Sequence, residues 1–233
     1  MVDRRKVVSG NAVELHSKQA RQAEQLAAII AGLAVLVGLY LTSLYSYSLF
    51  HSLAEAFSIV VACTVFAVFW SARDFLKNAC YLLIGIAYLF VAFIDLTHML
   101  AYGEINVFKG HGPDLAIQLW IIARYVESIS LLAAVALVGK RIKPMLIFGV
   151  YAALVSAVFT VVFYFRIFPH CFDPKTGLTT FKIVSEYIIC LLLLTSLALL
   201  IARRGDFDKT VFRLLAASII ATVCSELAFT AYK

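Results

Sequence analysis

Residues 79–101 read ACYLLIGIAYLFVAFIDLTHMLA, and this stretch decides the fold. It is long enough to cross a bilayer as a helix, which takes about 20 apolar residues. Yet it carries Asp95 and His98 shortly before the turn-forming segment AYGEINVFKGHGPD (101–114). Charged side chains inside a span are costly, and they normally face a bundle interior or a wet cavity.

The rest of the chain fits that reading. Of 233 residues, 63% are hydrophobic and 15% charged, with a mean hydropathy of +0.93. A soluble domain carries about 25% charge. An integral membrane protein is the class that fits. Seven spans are predicted at about 27–48, 52–72, 79–101, 115–138, 144–165, 181–202 and 211–231. No alternation of period two competes over these lengths. Short connections predict one all-α antiparallel bundle over 27–233, preceded by a cytoplasmic N-terminal segment, 1–26. The stretch AVELHSKQARQAEQL within that segment has the character of a short helix. The first apolar run is too long for a signal peptide, and no small-residue cleavage site follows it.

Basic residues set the direction. With the N-terminus inside, the cytoplasmic set is Arg4, Arg5, Lys6, Lys18, Arg21, Arg73, Lys77, Lys140, Arg141, Lys143, Arg203, Arg204, Lys209 and Arg213. The outer set is Lys109, Arg166, Lys175, Lys182 and Lys233. Fourteen against five is a positive-inside bias. The net charge of +6 therefore belongs to loops and does not call for nucleic acid. Four cysteines, Cys63, Cys80, Cys190 and Cys224, fall in apolar runs, and Cys171 falls in a loop. With no CxxC spacing they read as small buried hydrophobes, not as a disulfide or metal framework.

With the expected direction, nine titratable residues in or at the ends of the spans lie in the outer half or at the midplane. These are His51, Glu55, Asp95, His98, Arg124, Glu127, Lys182, Glu186 and Glu226. Eight of them pair at i,i+3 or i,i+4 and so share a helix face: His51/Glu55, Asp95/His98, Arg124/Glu127 and Lys182/Glu186. Glu226 needs a partner from another helix, and Arg124 is nearest in depth. Thr97, Gln118, Trp120, Ser128 and Tyr187 add polar groups at similar depths. Together they read as the wall of an outward-facing cavity. Structural glue is the plainer alternative, but an interhelical polar bond in lipid contributes only about 0.6 kcal/mol.

The chemistry leaves several ligands open. His51, Glu55, Asp95 and His98 offer nitrogen and oxygen ligands suited to a transition metal. His51 and His98 would suit axial haem ligation less well, because nothing else marks a haem pocket. A proton-linked small ligand also fits, since His titrates near neutral pH. His16, His111 and His170 lie in the tail or loops and read as solvated. No nucleotide loop, nucleophile elbow or kinase motif appears, so no enzyme is indicated.

Five blocks carry a family resemblance: FHSLAEAFSIVVACTVFAVFW, YLFVAFIDLTHMLAYGEINVF, IQLWIIARYVESISLL, GLTTFKIVSEYII and CSELAFTAY. In order, over about residues 45–233, they resemble the third of the membrane-associated sensor (MASE) domain families of bacterial signalling proteins. The resemblance assigns His51 and Glu55 to an HxxxE block, and Asp95 and His98 to a DxxH block. It assigns Gln118, Trp120, Arg124 and Glu127 to QLWxxxRxxE. Phe181, Lys182, Glu186 and Tyr187 fall to FKxxxEY, and Glu226 to SELxF. It implies stimulus sensing in the bacterial inner membrane through a ligand or ion of unknown identity. A homodimer, an eighth span and a cytoplasmic histidine kinase or diguanylate cyclase output are expected with it. The chain then reads as truncated before that last span and output. The rivals are a metal- or haem-binding membrane subunit, a small transporter and an intramembrane enzyme.

Overall fold

The structure is a computed structural model that describes residues 4–76, 78–103 and 105–231, without the side chains of 4–18, 21, 28, 230 and 231. Lys77 and Lys233 of the expected charge bias lie outside the described residues, as does the side chain of His16. Among the described residues, seven helices are long and apolar enough to cross a membrane. The chain divides into two units, Met1–Ala54 and Glu55–Lys233.

The first unit holds α1 (Arg4–Tyr45) and the opening turns of α2 (Tyr47–Ser71). The predicted N-terminal segment, 1–26, and the first predicted span share one helix, since α1 runs past residue 26 without a break. Helical hydrogen bonding is indifferent to whether side chains are polar, and residues 4–45 contain no proline to stop it. Leu33, Leu36 and Leu44 are exposed, as a lipid-facing helix requires. A predicted gap at 49–51 shrinks to Ser46 alone. The Ser46 and Phe50 amides keep bonds to Thr42 and Ser46 carbonyls at 2.9 and 3.0 Å. The Ser46 hydroxyl accepts from the Leu49 amide, a capping contact for α2.

The second unit contains the remainder of α2 and five further helices: α3 (Ala79–Ala101), α4 (Asp114–Ala136), α5 (Pro144–Phe159), α6 (Thr180–Ala202) and α7 (Lys209–Ala231). α3 packs on both α4 and α5, α4 on α6, and α6 on α7. α3 and α4 are the most buried of the spans, which places them at the heart of this unit. Ile86, Ile121, Ile189, Leu193 and Ile219 fill its core and are almost fully buried. Lipid-facing residues such as Phe57, Val60, Leu146 and Leu191 are exposed. Gly85 allows α3 to approach α2 closely: a Cβ there would lie 2.8 Å from Phe69 Cβ.

Two joints fix the ends of the central helices. Asn78 Oδ1 accepts from the Cys80 and Gly139 amides, and Gly139 takes φ +77 where a side chain would be strained. Arg203 donates to the Val135 and Ala136 carbonyls at the C-terminus of α4, where a cation complements the helix dipole.

Two features escape the span pattern. α5 ends in a π-helical turn, Thr160–Phe165, and Arg166 stops it with φ 53. The loop after it folds into a small antiparallel ladder, β1 (Phe172–Asp173) with β2 (Gly177–Leu178). Two-residue strands are too short to leave a period in the sequence. Cys63 and Cys224 are exposed, not buried as their apolar surroundings predict, because both sit on outer helix faces. His111, expected in solvent, packs edge-on against Phe163, with ring centroids 5.6 Å apart.

Candidate functional site

Polar residues of the second unit gather where α2, α3, α4, α6 and α7 meet. α3 contributes a stripe at i, i+3, i+7 and i+10: Tyr88, Val91, Asp95 and His98. These positions share one helix face, so burying Val91 carries the polar groups inward as well.

At one end of the stripe, His98 bridges two helices. Its Nδ1 lies 2.6 Å from the Ala116 carbonyl of α4, and its Nε2 lies 3.2 Å from Glu55 Oε1 of α2. A carbonyl only accepts, so Nδ1 must carry a proton and donate. In a neutral ring, Nε2 would then turn a lone pair toward a carboxylate oxygen. That contact is attractive only with a proton on Nε2 or on Glu55, or with a cation between them.

Toward the middle, Arg124 of α4 organises the carboxylates. Its Nη1 donates to Glu127 Oε2 at 2.5 Å, and its Nη2 donates to Asp95 Oδ1 and Oδ2 at 3.3 and 3.2 Å. Glu127 accepts a further bond from Tyr88 at 3.1 Å. On α6, Lys182 Nζ donates to Glu186 Oε1 at 2.5 Å and sits 5.3 Å from the Trp120 ring centroid. Glu226 of α7 is 2% exposed and lies in electrostatic reach of Arg124, Glu127, Lys182 and Glu186. Arg124, nearest to it in depth by sequence, is among the charges within that reach.

The set is rich in acid. Glu55, Asp95, Glu127, Glu186 and Glu226 stand against two fixed cations, Arg124 and Lys182, and one imidazole, His98. His98, Glu127, Lys182, Glu186 and Glu226 are all buried.

Gln118, Tyr187, Ser128 and Thr97 do not join this cluster. Gln118 turns to the loop, donating to Asp114 Oδ2 at 3.0 Å and the Pro169 carbonyl at 3.2 Å. Tyr187 is exposed on the outer face of α6. Ser128 and Thr97 bond carbonyls of their own helices, Tyr125 and Phe93. Asp95, grouped by sequence with the metal-ligating candidates, is held by Arg124. His51 lies one turn before Glu55 on α2, and its ring is 6.3 Å from that of Tyr47.

The model of a membrane-associated sensor domain, MASE3, matches residues 42–233. The chain belongs to this family. No curated protein and no solved structure matches it. As a MASE3 domain with seven helices able to cross a membrane among its described residues, it is a multi-pass protein of the bacterial inner membrane, in contact with the lipid bilayer. Sensor domains of this kind are generally non-catalytic.

The sequence pattern did not single out two features near these residues. Tyr88 is the first; its i,i+7 spacing from Asp95 is a signal that was available. The second is a clasp at the start of α4. Asp114 Oδ1 accepts from the Cys171 and Phe172 amides at 2.8 and 2.7 Å, and its Oδ2 lies 2.8 Å from His170 Nδ1. His170 therefore has a partner, although its side chain is open to solvent. The clasp buries Cys171 completely, and burial, reinforced by the Asp114 carboxylate, pushes its thiol up to about 12. Residues 56 positions apart leave no local spacing by which to find such a contact.

Proposed function

We propose that the buried cluster is the input site of a membrane sensor, and that its stimulus is a cation: a proton or a metal ion. The observation that carries this is the charge imbalance within the second unit, five carboxylates against two fixed cations and one imidazole, in a largely buried setting. Unmet buried charge costs several kcal/mol per ion. Protons or a bound cation must offset the excess, so the packing of five helices depends on their supply. Glu55 and His98 are the entry pair, because their contact needs a positive charge between its atoms.

The chain's own groups divide the work. Glu55 and His98 take up the cation. Arg124 holds Asp95 and Glu127 and couples α3 to α4. Glu226 extends the same field to α7, which leads the signal toward a cytoplasmic output of histidine kinase or diguanylate cyclase type, as the family resemblance implies. Relay requires that the cation favour one packing of these helices over another. A role as sensor and not as enzyme agrees with the family. The excess of basic residues in the loops at one end supports an inside N-terminus, and the Glu55–His98 end would then face outward.

Calorimetric titration of detergent-purified protein with Zn²⁺, in two buffers of different ionisation enthalpy, tests the site. The expected result is saturable binding that releases protons and disappears in Glu55→Gln/His98→Ala. No saturable binding, together with identical proton uptake by wild type and variant, would contradict the proposal.

A further inference from the structure

A further feature lies where α4 faces α5. α4 and α5 stand apart and leave a cavity of about 710 Å³ between them, which α3 and the Phe168 loop help to close. That volume is in the range of small-molecule sites. None of the lining residues carries a charge. Ile129, Val150 and Leu154, which line it, are about half exposed, so the cavity opens sideways toward lipid.

Three hydroxyl-bearing residues line it, Tyr125, Ser130 and Tyr151, and the last two form a hydrogen-bonded pair. Ser130 Oγ of α4 donates to the Val126 carbonyl of its own helix, and Tyr151 OH of α5 lies 2.5 Å from Ser130 Oγ. Serine has one hydroxyl proton, already committed to Val126, so Tyr151 is the donor to Ser130. The phenolic oxygen of Tyr151 keeps its acceptor capacity at the cavity wall. It invites a ligand that donates a hydrogen bond.

Depth narrows the class. Ser130 lies six residues before the end of α4, about 9 Å inside it at 1.5 Å per residue. A phospholipid headgroup stays at the interface, and its acyl chain has no donor to offer Tyr151. We infer that this cavity binds an uncharged lipophile bearing a hydroxyl group, such as an isoprenoid or long-chain alcohol, with the hydroxyl donating to Tyr151. The site does not depend on the charge cluster being the input, although Ser130 stands one turn from Glu127 on the same helix.

The test uses radiolabelled farnesol with the full chain in nanodiscs, and farnesyl methyl ether as competitor. The ether keeps the chain and loses the donor. Saturable farnesol binding is expected above that of empty nanodiscs. Tyr151→Phe should bind about fivefold more weakly, and the ether should compete about fivefold less well, as for loss of one neutral hydrogen bond. Ile129→Trp, which fills the cavity from its lipid side, should abolish binding; Tyr151→Phe remains decisive if that variant does not fold. Equal competition by alcohol and ether, undiminished binding to a folded Tyr151→Phe, or partitioning no greater than in empty nanodiscs would each overturn the inference.

Discussion

Arg124 shows what single residues decide in this fold. It bonds Asp95 from one side and Glu127 from the other, and Glu226 lies within its field. Arg124→Ala would leave buried carboxylates without their cation, at a cost of about 3–5 kcal/mol. The expected outcome in detergent is a large loss of thermal stability or failure to fold. Arg124→Lys should recover part of it, since lysine supplies the charge without the planar fork. Near-native stability in the alanine variant, measured by circular dichroism melts, would show the carboxylates to be protonated and in no need of Arg124. Much of this was legible in sequence. Arg124 and Glu127 stand at i,i+3 in an otherwise apolar run, and Glu226 lacked a partner on its own helix. Tyr88 was harder to see, because a tyrosine in a span is also an ordinary packing residue.

Helices and loops carry the next set of consequences. The spacing of apolar runs located the spans well, since hydrocarbon thickness sets their length. It did not locate the joints. The Asp114 clasp, the π-helical turn and the small ladder depend on contacts between segments distant in sequence or on backbone detail within one turn. Asp114→Ala removes the acceptor for the Cys171 and Phe172 amides and for Gln118. The loop over 166–179 should loosen, and Cys171 should gain exposure and a lower thiol pKa. Maleimide labelling of Cys171 near neutral pH, followed by mass spectrometry, should therefore be slow in wild type and more than about tenfold faster in the variant, because the thiolate is the reactive form. An unchanged rate would mean that the clasp does not hold the loop. Gly85→Ala addresses the α2–α3 approach. Its Cβ would meet Phe69 Cβ at 2.8 Å, so a destabilisation of about 1–3 kcal/mol is expected from overpacking. Denaturant melts that matched wild type would show that the two helices can separate without loss.

At the scale of the whole molecule, an apolar helical scaffold surrounds a set of acids too numerous for its bases. Composition alone revealed the scaffold, and helical periodicity revealed most of the acids. What the sequence could not give was the pairing across helices, above all that His98 spends one nitrogen on the Ala116 carbonyl and turns the other to Glu55. Of the charged groups that face His98, Glu55 and Asp95 are acidic, so removing its proton or its cation leaves like charges and lone pairs opposed. Stability contributed by that contact is present while the positive charge is in place and is lost as rising pH strips it. The most direct test is the thermal midpoint of the detergent-purified protein from about pH 5 to 9, the range over which histidine ordinarily titrates. It should be measured with Zn²⁺ and with a chelator, for wild type and for Glu55→Gln/His98→Gln. The account predicts that the wild-type midpoint falls as pH rises, that Zn²⁺ restores it at the alkaline end, and that the double variant shows neither response. A wild-type midpoint indifferent to both pH and Zn²⁺, or a double variant that follows wild type throughout, would contradict a cation at the centre of this sensor.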